Sequence, residues 1–154
     1  MNLFTRDAPR QARRSLELDL QEYNRRVLQH QDEAFALAAD LLGDEAAAAE
    51  VVQAIFVAAF SRERRQPEPD FRWEILRRVI QACRERSTGA WLPGPTGLQS
   101  VLAGLSSEEK VLLVLVDRLE LSYPDAATVL RKPLAYIRST LCMARRITIS
   151  KATV

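Results

Sequence analysis

The chain has 154 residues, 47% of them hydrophobic and 6% aromatic, with a net charge of +2, two Cys and one His. That length and apolar share exclude a disordered protein and suit one ordinary domain or two small helical ones. Its longest apolar runs, such as Val111 to Val116, fall far short of the roughly 20 residues of a bilayer span, and no apolar h-region follows the Arg-rich start, so the chain reads as cytoplasmic with no membrane insertion.

Gly is sparse while Ala, Leu, Arg and Glu dominate, a composition that favours an all-α fold because straight-chain residues lose little freedom in a helix. Cys83 and Cys142 lie far apart without CxxC spacing, and His30 is the single histidine, so neither a disulfide framework nor a zinc site is expected. Both thiols read as reduced and as partly buried helix positions. No paired carboxylates, Ser/His/Asp set, phosphate loop or metal cluster assembles from these residues, so no enzyme activity and no cofactor are expected. Charge is divided along the chain. Met1 to Arg14 carries four Arg against one Asp, Ser15 to Phe60 nine acids against two Arg, and Ser61 to Arg86 eight Arg against five acids. Beyond Asp125 there are six bases and no acid. One acidic lobe with basic segments beyond it points to two different partners, one of them an anion.

In chain order, Ser15 to Leu42 shows apolar residues at Leu16, Leu20, Tyr23, Val27, Ala34, Leu37, Ala38 and Leu41, a helical spacing with a break expected near Gln29 to Asp32. Gly43 ends the stretch as a C-cap does, and Asp44 caps a helix with ridges Val51, Ile55, Ala59 and Val52, Phe56, Phe60. Pro67 and Pro69 punctuate the next turn, after which Phe71, Ile75, Val79 and Cys83 repeat every four residues through an Arg-rich helix. Uncharged STGAWLPGPTGLQS, from Ser87 to Ser100, marks a boundary between a first domain at 15–86 and a second at 103–150, with 87–102 as linker. Its prolines make it semi-stiff, with an extended reach of about 40 Å, and Trp91 and Leu92 are apolar enough to dock on one of the lobes. Ser106 or Ser107 can cap a helix buried through Val111, Leu112 and Leu115. Ser122 with Asp125 caps a shorter one, which tolerates Pro124 in its first turn and buries Ala126, Ala127, Val129 and Leu130. Pro133 restarts the chain three residues later, and Leu134, Ile137, Leu141 and Ala144 give the last helix its core face. Two helices joined by so short a turn form a helix-turn-helix.

From Leu105 to Arg146 these residues resemble region 4 of the sigma-70 factors, specifically the two-domain extracytoplasmic-function type. The positions that carry the similarity are Leu105, Asp117, Leu121, Ser122, Tyr123, Ala127, Leu130, Ile137, Ser139, Leu141, Ala144 and Arg145. The first half is similar to region 2 through Leu41, Leu42, Gly43 and Asp44, then Glu50, Val51, Val52, Gln53, Ile55 and Phe56. RERSTGAWLPGP resembles the WLPEP-type linker of one subgroup.

The resemblance implies a subunit that binds core RNA polymerase and confers promoter recognition, with region 2 at minus-10 and region 4 at minus-35; an anti-sigma factor is a further implied partner. It puts polymerase contacts at Glu50 and Gln53, and contacts to DNA near the melted strand at Arg77, Arg78, Arg84 and Arg86. On the last helix, Ala135, Tyr136, Ser139, Cys142, Met143 and Arg146 lie on the wheel opposite the core, with Arg138 and Arg145 flanking it and Arg131 and Lys132 in the turn. Departures from the family gather on functional positions. Thr140 and Met143 stand where it usually has Arg, whose pairing with guanine is the commonest specific contact. Arg131 replaces the turn Gly and disfavours a left-handed residue there unless the turn is rearranged, while Ala49 and Glu50 trim the acidic pair of region 2. Two readings follow: a divergent sigma factor, or a sigma-like mimic that binds an anti-sigma factor without reading DNA. An ordinary one-component repressor fits less well, since the first half resembles region 2.

Overall fold

The computed structural model describes residues 8–86 and 101–152, and every regular element within them is a helix. Helix α1, Ala8–Leu42, runs unbroken for 35 residues, about 52 Å at 1.5 Å per residue. The break expected near Gln29 does not occur. A gap in the apolar pattern is not a gap in helix-forming residues, and here half-buried Val27, His30 and Gln31 fill it, with His30 set beside the Phe71 ring at 5.8 Å. Leu20, expected in the buried stripe, is 44% exposed and lines an open groove between α1 and the next helix. The side chain of Leu16 lies outside the described residues, as does the linker at 87–100 with Trp91 and Leu92.

Gly43 at φ 67° stops α1, and its N–H reaches the Ala39 carbonyl at 2.8 Å. Asp44 then caps α2, Glu45–Arg65, its Oδ1 accepting from the N–H groups of Ala46 at 2.9 Å and Ala47 at 3.2 Å. Arg62, Arg64 and Arg65 in the last turn complement the negative end of the helix dipole. Helix α3, Phe71–Arg86, buries Phe71, Ile75, Leu76, Val79, Ile80 and Cys83 against α1 and α2. Tyr23 is the keystone of this bundle. Its ring lies 5.0 Å from Phe60 and 6.0 Å from Phe71, its hydroxyl donates to the Phe56 carbonyl, and burial pushes the phenol up to about 12.

Helix α4, Ser107–Leu113, opens on a full capping box between Ser106 and Glu109 and passes into a π-helical turn over Val114–Arg118. It stops at Glu120, φ 57°, with the Leu121 N–H on the Leu115 carbonyl at 2.9 Å. Helices α5, Tyr123–Leu130, and α6, Leu134–Ala152, complete the described residues. Val111 to Leu115 are buried on all sides, because α6 packs on one side of α4 and α1 meets the π turn that follows it. The two halves therefore touch: α3 packs on α5, and Arg118 of the π turn reaches Asp40 of α1 at 3.1 Å. Of the two thiols, Cys83 is buried, but Cys142, expected to be partly buried, is exposed on α6.

Candidate nucleic-acid interface

Between α5 and α6 the chain turns in three residues. Ser122 Oγ accepts the Asp125 N–H at 3.1 Å and starts α5; Arg131 ends it in the left-handed region at φ 53°, ψ 45°. The N–H of Lys132 then closes on the Ala127 carbonyl at 3.1 Å. The turn is thus not rearranged to suit Arg131. The tight restart before Pro133 needs a left-handed residue, and Arg takes that conformation at a cost Gly does not carry.

Ile137, Leu141 and Ala144 are buried under α6 and Leu134 is half-buried, so the opposite side faces outward. Exposed there are Ala135, Arg138, Ser139, Cys142, Met143 and Arg146, at spacings of three and four that define one continuous strip. Arg131 and Lys132 are exposed at its start. Tyr136, expected in the strip, is turned aside: its hydroxyl donates to Glu108 of α4, and the Lys132 ammonium sits 5.1 Å above its ring. That bond to Glu108, with burial second, raises the phenol above its ordinary value. Thr140 is half-buried beside it. Arg145 is committed to Asp117 through Nη2 at 2.6 Å and Nε at 3.3 Å, and to the Tyr123 hydroxyl at 3.2 Å. What remains on this face is Arg138 and Arg146 among small and apolar side chains, with Arg131 and Lys132 at its start.

The α3 arginines do not share one open face. Arg77 points at the other half of the molecule, donating from Nε to the Val129 carbonyl at 3.0 Å and from Nη2 to that of Thr128 at 3.0 Å. Arg78 pairs with Glu74 at 2.9 Å and, like Arg84, keeps a buried Nε–H with no acceptor among the described residues. Arg84 is half-buried and close enough to Tyr136 for its charge to act on the phenol. Arg86 is exposed and pairs with Glu50 at 2.9 Å. The residue implied for polymerase and one implied for DNA are therefore ion-paired to each other across a cleft of about 620 Å³ between α2 and α3.

Gln53, though only three residues from Glu50, lines a different groove, about 650 Å³, between α1 and α2. Its walls are Tyr23, Val27, Phe35, Val52, Phe56 and Val57, and Val57 is 68% exposed. Sequence reasoning missed Val57 and this groove. The available signal was that α2 carries apolar residues beyond its two core ridges, more than one packed face requires. Among the described residues no group of His, Cys, Asp and Glu is placed to hold a metal ion, and no helix is long and apolar enough to cross a membrane.

No protein-family model matches the chain, and no curated protein matches it in sequence. Solved structures do. CnrH, determined in complex with the cytosolic domain of CnrY, superposes with a TM-score of 0.72 at 23% identity, over 87% of this chain and 89% of that one. The sigma factor RpoE of Bartonella quintana, determined in complex with the anti-sigma factor NepR, superposes with a TM-score of 0.68 at 18% identity, over 87% of this chain and 98% of that one. Neither half of the molecule alone amounts to that share of the chain. Across both halves, the chain has the fold of CnrH and of the sigma factor RpoE.

Proposed function

We propose that this chain is a transcription initiation factor of the extracytoplasmic-function type, working in the cytoplasm without chemistry of its own. In this reading residues 15–86 bind core RNA polymerase and the melted minus-10 strand, while residues 103–150 set α6 in the major groove at minus-35. One observation carries it: a helix-turn-helix whose second helix leaves a single strip exposed, with Arg138 and Arg146 in it and Arg131 and Lys132 at its start, on a fold shared with sigma factors. Cations along an exposed helix face and at its start suit phosphate oxygens, and the small and apolar side chains beside them suit base edges. The polymerase surface is assigned to the exposed ridge of α2 with Gln53, Val57 and the adjoining apolar groove, where an α-helical partner can bury apolar area.

The test is reconstituted transcription, with core polymerase and the chain on a library of genomic fragments. Promoter-dependent transcripts that vanish when the chain is omitted are expected. Absence of both transcripts and polymerase association in a pull-down refutes the assignment.

A second reading is favoured by one specific observation. The strip holds Met143 where family members have Arg, and the other such position, Thr140, is half-buried, so guanidinium readout of guanine is missing at both. A sigma-like module that occupies an anti-sigma factor without reading DNA has no need of that readout. Both superposed structures contain a second protein, in one case named as an anti-sigma factor. Binding to an anti-sigma factor with no promoter-dependent transcription selects this second reading over the first.

A further inference from the structure

We propose that Arg77 is a latch between the two halves of the molecule, rather than a contact to DNA, and that promoter engagement requires the latch to open. The last carbonyls of α5 have no intrahelical partner. Arg131 and Lys132 N–H groups reach those of Thr128 and Ala127, and Arg77 comes from α3 to Val129 and Thr128, both at 3.0 Å. The guanidinium meets the negative end of the α5 dipole, and its planar fork matches two successive carbonyls. Glu74, one turn earlier on α3, holds the fork in place through Nη1 at 3.2 Å. A second tie, Arg118 to Asp40 at 3.1 Å, joins the π turn to α1.

The consequence for promoters rests on the functional reading above. Elements centred at minus-10 and minus-35 lie about 25 base pairs apart, roughly 85 Å along duplex DNA at 3.4 Å per step. Helices α3 and α6 are about 24 Å and 28 Å long, and both pack against α5 or its neighbours. Even laid end to end they fall short of that span, so both elements cannot be engaged while Arg77 holds α5. Fourteen residues separate Arg86 from Val101, enough to extend by roughly 45 Å once the halves part.

The experiment is a spin-label distance measurement on the full chain without partners. One label goes on Cys142, which is exposed, and one on a cysteine introduced by Ser61→Cys, exposed at the end of α2; Cys83 stays unlabelled because it is buried and its thiol is pushed up to about 12. Wild type is expected to give one dominant short distance. Arg77→Ala is expected to raise the ratio of long to short distances by about tenfold or more, with Arg77→Lys in between, since one ammonium cannot serve both carbonyls in a fork. Should Arg77→Ala lose its helical circular dichroism, Arg118→Ala, at an exposed residue, is the second variant and must lengthen the distance likewise. Distances unchanged in the folded variants overturn the latch. So does a drop of about one unit in the salt slope for a 25-base-pair duplex with distances unchanged, which makes Arg77 a phosphate contact. Core polymerase pull-down is scored separately: its failure removes the sigma-factor reading and leaves the distance result to decide the latch.

Discussion

Replacing Arg131 by Gly should make the protein more stable and at the same time a poorer DNA binder, with different physical causes for the two effects. Arg131 sits at φ 53°, ψ 45° at the end of α5 and is exposed. The left-handed region costs an L-residue about 1–2 kcal/mol, and Gly is free of that cost. Gly in turn gives back about 0.5–1 kcal/mol through the greater freedom of its unfolded chain. The loss of a cation beside the helix C-terminus subtracts a further few tenths of a kcal/mol. What remains is about 0.5 kcal/mol in favour of Gly, or roughly 1–2 °C in Tm for a chain of this length. Arg131→Ala is the comparator, because it removes the same charge and keeps the Cβ in the left-handed region. Urea unfolding followed by circular dichroism should order the three as Gly, then wild type, then Ala, with Gly above Ala by about 1 kcal/mol. In DNA binding the two variants should behave alike, each losing about one unit of salt slope if Arg131 holds a phosphate. Equal stability of Gly and Ala would refute the argument from backbone strain, and a salt slope that differs between them would refute the separation of charge from conformation. Glu120→Gly at φ 57°, in the turn before α5, is subject to the same backbone reasoning.

On the polymerase side, Gln53→Ala and Val57→Asp, both at exposed positions, should weaken association with core polymerase in a pull-down while leaving duplex affinity unchanged; equal loss of both functions would mean the polymerase surface lies elsewhere. Arg138→Ala and Arg146→Ala should each weaken duplex binding with little regard to sequence and lower the salt slope by about one unit, read from titrations across a series of salt concentrations. A slope unaltered in both removes them from the phosphate contacts. Tyr23 predicts an alkaline limit to stability. Its phenol is raised from 10 to about 12 in the folded chain, so the unfolded chain ionises first; the stabilisation is complete below pH 10 and is lost as pH rises toward 12. Tyr23→Phe should make the fall in melting temperature shallower over that window, the rest of the fall coming from Cys83, whose thiol is likewise pushed up to about 12, and a fall as steep as that of wild type would sink the assignment.

How far the sequence could be read depended on whether the deciding interaction is local. Asp44, Ser106 and Ser122 each cap a helix with backbone groups two or three residues away, so side chains and spacing were enough to place two helix starts and to narrow the third to Ser106 or Ser107, of which Ser106 is the cap. Phe71, Ile75, Val79 and Cys83 could be assigned to the core for the same reason, since their four-residue spacing is itself the buried face. Site residues behave differently, because a helical wheel gives a direction without saying what stands there. Tyr136 is on the outward half of its wheel, yet Glu108, 28 residues earlier, captures its hydroxyl. Glu50 and Arg86, 36 residues apart, were sorted to different partners by the segments they occupy, and the packing of α2 on α3 pairs them. Arg77 is the sharpest instance. Its charge and helix position match a phosphate contact, and what redirects it is a pair of backbone carbonyls 51 and 52 residues away, which no side-chain pattern encodes. An arginine on a basic helix is therefore free for an anion only after the acceptors of every packed neighbour have been counted. By that measure the exposed cations of α6 and its turn remain the firmest candidates for DNA, whereas Arg77, Arg78 and Arg86 of α3 are bound first to their own protein.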